Sequence, residues 1–286
     1  MSVELRRGDT AGEHTTSGAG APSGFARAAR PDTAVPAAAL APAVATGGVA
    51  PDRAEPWLGV LMLETRFTRL PGDIGHPASF DFALRYAVVA GATPQRVARD
   101  GDPTLLEPFL DAARALVAQG AAAISTSCGF LVRWQRELQA AVPVPVWTSA
   151  LLALPALQRD GPAGVVTIDA AALSAAHLQA AGADAATPVE GVAPGCHLQR
   201  ALLDGDVALD PAQAARDVVE AARRLAARRP DVRALVLECT NMPPYADAVR
   251  AAIGLPVHDI RSLLHERWHE HRHARTQGLA RQSAPT

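Results

Sequence analysis

From Trp57 onward, short apolar runs alternate with longer stretches whose apolar positions recur every three or four residues, the pattern of parallel βα units. Strands are predicted over 58–63 (LGVLML), 85–90 (RYAVVA), 121–126 (AAAIST), 164–168 (GVVTI), 187–192 (TPVEGV) and 233–238 (RALVLE), with two shorter ones at the Pro-Val pairs beginning at 145 and 256. Helices are predicted over 103–119, 130–141, 171–182, 211–228, 243–252 and 260–275. Residues 1–55 carry neither period. Ala, Pro, Gly, Ser and Thr dominate there, which reads as a disordered tail. Arg6-Arg7 is followed by Gly-Asp-Thr rather than an apolar run, unlike a signal peptide, and no stretch reaches the ~18 uninterrupted apolar residues of a membrane span.

The second half of the chain repeats the first. AAAISTSC (121–128) aligns with VRALVLEC (232–239), and the same offset of 111 residues carries Pro145-Val146 onto Pro256-Val257. GVLMLE (59–64) aligns with GVVTID (164–169), an acid closing the strand in each copy. Two matches in the same order argue for a duplicated α/β unit: an N-terminal lobe over 56–155 and a C-terminal lobe over 156–259, with the helix of 260–275 packing back on the first. The expected fold class is therefore α/β, with parallel sheets and a cleft between the lobes.

Composition narrows the chemistry. The chain has 286 residues, 27 basic and 29 acidic, and every basic one is arginine. Without lysine there is no Schiff base to pyridoxal phosphate and no phosphate-loop lysine. A net charge of −2 and a pI near 6.5 give no footprint for nucleic acid or anionic lipid, so a small-molecule partner is expected. Three widely spaced cysteines, 128, 196 and 239, support neither a disulfide framework nor a zinc site, and fit a reduced, cytoplasmic setting.

Cys128 and Cys239 occupy matched places, each just after a strand and before a helix, at the sheet edge where α/β folds bind ligands. A helix N-terminus there is expected to lower the thiol pKa. Paired thiols across a cleft suit proton removal on one face of a carbon and proton return on the other, without a metal or organic cofactor. Cys196 has no repeat partner and reads as a packed cysteine.

The pairing of ISTSCGF with LVLECTNMPPY, after a first strand ending Leu-Glu-Thr, resembles the aspartate/glutamate racemase superfamily, which includes amino-acid racemases, maleate isomerase and arylmalonate decarboxylase. The likeness covers about 57–275. It implies two flavodoxin-like lobes, an interlobe site, no cofactor, and Cys128 and Cys239 as acid and base. Dimers are common among these families, so a homodimer is among the expected assemblies. In glutamate racemases the first cysteine is followed by Asn-Thr, which hold the substrate carboxylate; here Gly129 and Phe130 follow. Backbone N–H groups around Ser127, Cys128 and Gly129 are then expected to bind an anion. Thr240 and Asn241 keep the second motif and are expected to hold a carboxylate. Phe130 suggests a bulkier or more apolar substrate than glutamate.

The loop ETRFTRLPGDIGHP (64–77) is long enough to cover the site. Glu64 is expected to orient or deprotonate Cys128, Arg66 to pair with a carboxylate, and Asp73 or His76 to line the cleft, with Asp169 as the repeat partner of Glu64. His265, His269 and His273 form overlapping HExxH matches on the final helix; the context favours a solvated histidine-rich face over a metal site. The expected activity is a cofactor-independent racemase acting on an aspartate- or glutamate-like amino acid. The alternatives are a decarboxylase, cis/trans isomerase or lyase on a small carboxylate, then a non-catalytic ligand-binding protein.

Overall fold

The structure, a computed structural model, describes residues 55–282. All but the last residue of the expected tail lies outside them. Among the described residues eight strands form two four-stranded sheets. The first takes the order β2-β1-β3-β4, from β1 (Leu58–Met62), β2 (Leu84–Val88), β3 (Ala123–Thr126) and β4 (Val146–Trp147), all parallel. The second repeats that order as β6-β5-β7-β8, from β5 (Ala163–Thr167), β6 (Val189–Gly191), β7 (Ala234–Leu237) and β8 (Val257–His258). The α/β reading of the sequence holds.

The central strands β1, β3, β5 and β7 are buried at every residue, as continuous apolar runs covered by helices on both faces should be. β2 lies at a sheet edge, and its Val88 is 64% exposed. The helices are α1 (Leu106–Ala118), α2 (Gln135–Ala141), α3 (Leu154–Asp160), α4 (Ala175–Ala180), α5 (His197–Gln199), α6 (Pro211–Arg228), α7 (Ala246–Ile253) and α8 (Ile260–Gln282). In α6 the buried residues Ala214, Val218, Ala221, Ala222 and Leu225 fall on one face. Pro211 opens that helix and the Asp210 carboxylate accepts from the N–H groups of Ala212 and Gln213, which fixes where it starts.

Three helical expectations need correction. The segment after Cys128 begins as a 3₁₀ helix (Gly129–Trp134) before α2, and that after Cys239 begins with a 3₁₀ turn (Pro243–Tyr245) before α7. The expected helix at 171–182 shrinks to α4, because the Asp169 carboxylate takes the N–H groups of Ala171 and Ala172 in a turn and Ser174 then caps the helix. α3 was not expected; Pro155, which breaks the apolar period, sits in its first turn where proline is tolerated.

α8 docks through Ile260, Leu263, Leu264 and Trp268, one face of the helix. The fully buried Trp268 stacks on Phe82 at 4.9 Å in the first lobe. Several bonds join the lobes at the carboxyl ends of the sheets: Thr240 Oγ1 donates to the Ser127 carbonyl (2.6 Å), the Ile74 N–H to the Thr240 carbonyl (3.4 Å), and Arg99 pairs with Asp204 (2.6 Å). Among the described residues no helix is long and apolar enough to cross a membrane.

Candidate active site

Cys128 leaves β3 and Cys239 leaves β7, the two strands that hold corresponding places in the two sheets. Both line one interlobe cavity with about 400 Å³ of space between atoms, part of it open to solvent. Ser127, Gly129, Thr240 and Asn241 line it as well, so six of the sequence candidates meet there. The remaining wall is mostly apolar, with Leu63, Phe67, Ala98, Phe130, Ile168, Leu202 and Leu203. Two charged side chains complete it, Arg69 and Glu238, neither of which the sequence singled out.

The polar groups are already committed to one another in a way that sorts their capacities. Thr240 is buried and its hydroxyl proton goes to the Ser127 carbonyl, so its side chain clasps the lobes together instead of donating to a substrate carboxylate. Asn241 donates to Asp73 Oδ2 (2.5 Å) and accepts from the Cys239 thiol (3.6 Å). The buried Asp73 also accepts from Arg69 (2.9 Å) and from the Gly75 N–H (2.7 Å). Asp73 therefore stands behind the site and fixes Asn241 and Arg69 rather than lining the cavity. Arg69 further donates to Thr65 Oγ1 (2.9 Å) and lies over the Phe67 ring at 4.5 Å. Ser127 Oγ accepts from the Leu63 N–H (2.8 Å), which leaves its own proton free to donate.

Gly129 packs directly against Glu238. The direction its Cβ would take is filled by the Glu238 carboxyl and carbonyl. Glycine is required there by this close approach, and a substrate carboxylate beside Glu238 would meet like charge. The Leu131 N–H donates to the Cys128 carbonyl (3.1 Å), and the N–H groups of Phe130 and Leu131 lie near enough to the Cys128 sulfur to favour its thiolate.

Burial, and then the neighbouring Glu238, push the Cys128 thiol up to about 12; the surface Cys128 retains faces the cavity rather than bulk water. Burial and Glu238 raise Cys239 well above the ordinary thiol range. The expected lowering by helix N-termini does not occur, since short 3₁₀ turns follow both cysteines and desolvation outweighs their dipoles. Glu238 is itself raised to about 7 by burial, against the opposing effect of its bond from Thr167. Its Oε2 accepts from Thr167 Oγ1 (2.7 Å) and its Oε1 has no partner.

The other candidates lie elsewhere. Glu64 and Arg66 are exposed and line a neighbouring cavity rather than the thiols. Glu64 accepts from the Gly91 N–H (3.0 Å); Glu64, Arg66 and Thr68 line only the neighbouring cavity, Thr65 and Phe67 line both, and Arg69 lines only that of the thiols. Arg69 thus takes the place expected of Arg66. His76 caps a 3₁₀ turn through the Ala78 N–H, and Asp169 holds its own turn and pairs with Arg99 at 3.5 Å. Cys196, at the start of α5, is half-buried and does not line the cavity. On α8, His265 and His269 come together with Asp81, close enough for all three to ligate one divalent ion, while His273 stands apart from that group.

Glu238 could have been found from the repeat. It aligns with Ser127, so the second lobe places a carboxylate where the first has a hydroxyl, at the end of an otherwise apolar strand. For Arg69 the sequence offers two arginines in one loop and no means of choosing between them.

No family model matches the chain. It is 33% identical over 214 residues to the dimethylsulfoniopropionate lyase of Durusdinium sp. clade D, in an alignment covering 71% of this chain and 70% of that protein. The chain belongs to the dimethylsulfoniopropionate lyase family. A second relative, dimethylsulfoniopropionate lyase 7 of Emiliania huxleyi (strain CCMP1516), is 33% identical over 227 residues, covering 71% of this chain and 64% of that one. Similar solved structures include unliganded arylmalonate decarboxylase (TM-score 0.48, 17% identity, 71% of this chain and 86% of that). Glutamate racemase from Thermus thermophilus with β-chloro-D-alanine is another (TM-score 0.49, 21% identity, 79% and 82%). The expected isomerase activity does not stand. Membership of a lyase family overturns the amino-acid racemase reading and favours the lyase that stood among its alternatives.

Proposed function

We propose that the chain is a lyase that removes a β-substituent from a short carboxylate, with dimethylsulfoniopropionate as the substrate type. What carries this reading is the single cavity in which two thiols, a partly buried guanidinium and a buried carboxyl converge. The substrate's Cα carries a proton made acidic by the carboxylate, and its Cβ carries a sulfonium group that leaves as a neutral sulfide.

The carboxylate lies with Arg69, whose orientation Asp73 and Thr65 fix, and receives the Ser127 hydroxyl. Cys128, as thiolate, takes the α-proton. Backbone N–H groups favour its anion, while Cys239 stays a thiol that turns its proton from Asn241 to the carboxylate when substrate enters and charge develops on it. The Cα–H pair becomes the Cα=Cβ bond, the Cβ–S bond breaks, and its electrons leave on dimethyl sulfide. Acrylate remains, and the proton on Cys128 passes to solvent. No cofactor is required. A working thiol needs a reducing compartment, so the cytoplasm is the setting we infer.

Incubation of the purified chain with dimethylsulfoniopropionate, followed by proton NMR, tests the reading. Acrylate and dimethyl sulfide should appear in equal amounts. Unchanged substrate at enzyme concentrations approaching its own would refute it.

A further inference from the structure

Glu238 is fully buried, follows directly on β7, and forms part of the cavity wall. Only one of its oxygens is used, by Thr167, and among the described residues no cation pairs with it. The nearest cavity cation, Arg69, is held by Asp73. A buried carboxyl without a counter-charge is costly, and burying one polar oxygen without a partner adds to that cost. The repeat shows that the fold does not need it, because the equivalent place in the first lobe is served by a serine, Ser127. The missing partner is best supplied by what enters the cavity.

We propose that Glu238 is the subsite for the cationic centre of the substrate, a sulfonium or quaternary ammonium group at the far end of a short carboxylate whose other end lies with Arg69. This rests on the elimination reading and adds what the cavity selects for. An onium group has no N–H or O–H to donate, so charge and aromatic faces must recognise it. Phe67 and Phe130 line the same cavity as Glu238, whose Oε1 lies beside Gly129 in the wall without a partner. The alternative, a protonated Glu238 donating to the substrate carboxylate, would select for the acid end and be indifferent to the onium. Since Glu238 raises both thiols, a cation beside it also offsets that effect and favours thiolate formation only when the correct substrate is bound.

Two probes of the same shape test the assignment, 3-(trimethylammonio)propionate and its neutral isostere 4,4-dimethylpentanoate, titrated calorimetrically into the full chain at pH 8. Wild type should bind the onium probe at least about tenfold more tightly than the isostere, roughly the value of 1.4 kcal/mol. Glu238→Gln should bind both within about twofold of each other, leaving the isostere unaffected, and Glu238→Asp should keep the preference. Thiolate absorbance near 240 nm should rise with the onium probe in wild type and not in Glu238→Gln. A preference that survives in Glu238→Gln, an equal loss for both probes, or no preference in wild type would overturn the assignment. The lyase reading fails separately: an onium preference without release of dimethyl sulfide refutes the reaction and leaves the subsite, and release without preference does the reverse.

Discussion

Gly129→Ala probes the packing on which the site depends. The added methyl would be directed at the Glu238 carbonyl and Oε1 and would lie 2.9 Å from its Cδ, far inside the 3.4–4 Å of ordinary contact. Neither side can yield cheaply. The Glu238 N–H is bonded to the Val166 carbonyl (2.9 Å), its carboxyl to Thr167, and on the opposite wall the Cys128 carbonyl is held by Thr126 Oγ1 (3.0 Å). Overpacking a fixed site costs about 3 kcal/mol, at the upper end of the usual range. For a chain of this size that is a fall of about 6–12 °C in Tm. Gly59→Ala supplies the control: its methyl would meet Ile124 Cδ1 at 2.9 Å and Leu116 Cδ1 at 3.0 Å, flexible ends that can move, for about 1 kcal/mol. Calorimetric melting of both variants, with acrylate release measured alongside, decides the matter. Gly129→Ala should be the less stable of the two and should lose acrylate formation. A Gly129→Ala chain melting within about 2 °C of wild type, with activity retained, would refute the close approach of Glu238 to Gly129.

Arg69→Gln should raise KM for dimethylsulfoniopropionate by about 10–100-fold, the loss of a charge-assisted bond, whereas Arg66→Gln should change it less than about threefold; steady-state kinetics of both variants check this. Glu238→Gln should melt higher than wild type at pH 8. A carboxyl raised from 4.5 to about 7 favours the fold fully below its unfolded pKa and loses that contribution as pH rises through 7, up to about 3 kcal/mol, so the difference in Tm should shrink towards pH 5. With Cys128 at about 12 in the free site, log kcat/KM should keep rising with pH up to at least 9; it should rise more steeply below 7, where Glu238 must also lose its proton, and a plateau at pH 7 would count against a thiolate base.

The fold was legible because the strands carry continuous apolar runs and the helices a clear period, and because the repeat made each half a check on the other. β1, β3, β5 and β7 fall within a residue or two of where the apolar runs place them. The cysteines that meet in the cavity were legible for the same reason, as matched positions in matched units. What the sequence could not convey was which neighbour reaches them. Glu64 and Arg66 are close to the cavity along the chain, yet the turn after β1 carries both outward and brings Arg69 inward. Glu238 stood next to Cys239 in plain view, and its weight comes from burial and an unpartnered oxygen, which only packing reveals. The thiol pKa was misjudged in sign because the helix dipole can be read from sequence, while desolvation depends on how the lobes close over the site. The reaction type lay outside both, since one two-thiol cavity supports several fates for a carbanion, and the relatives favour the lyase among them.

The most direct test of a thiol-based elimination is the rate of dimethyl sulfide release from dimethylsulfoniopropionate, by headspace gas chromatography, in wild type, Cys128→Ser and Cys239→Ser. The account predicts release by wild type, a fall of at least about 10³-fold in Cys128→Ser and of about 10²-fold in Cys239→Ser, with both variants folded by circular dichroism. Release by Cys128→Ser at the wild-type rate would contradict it.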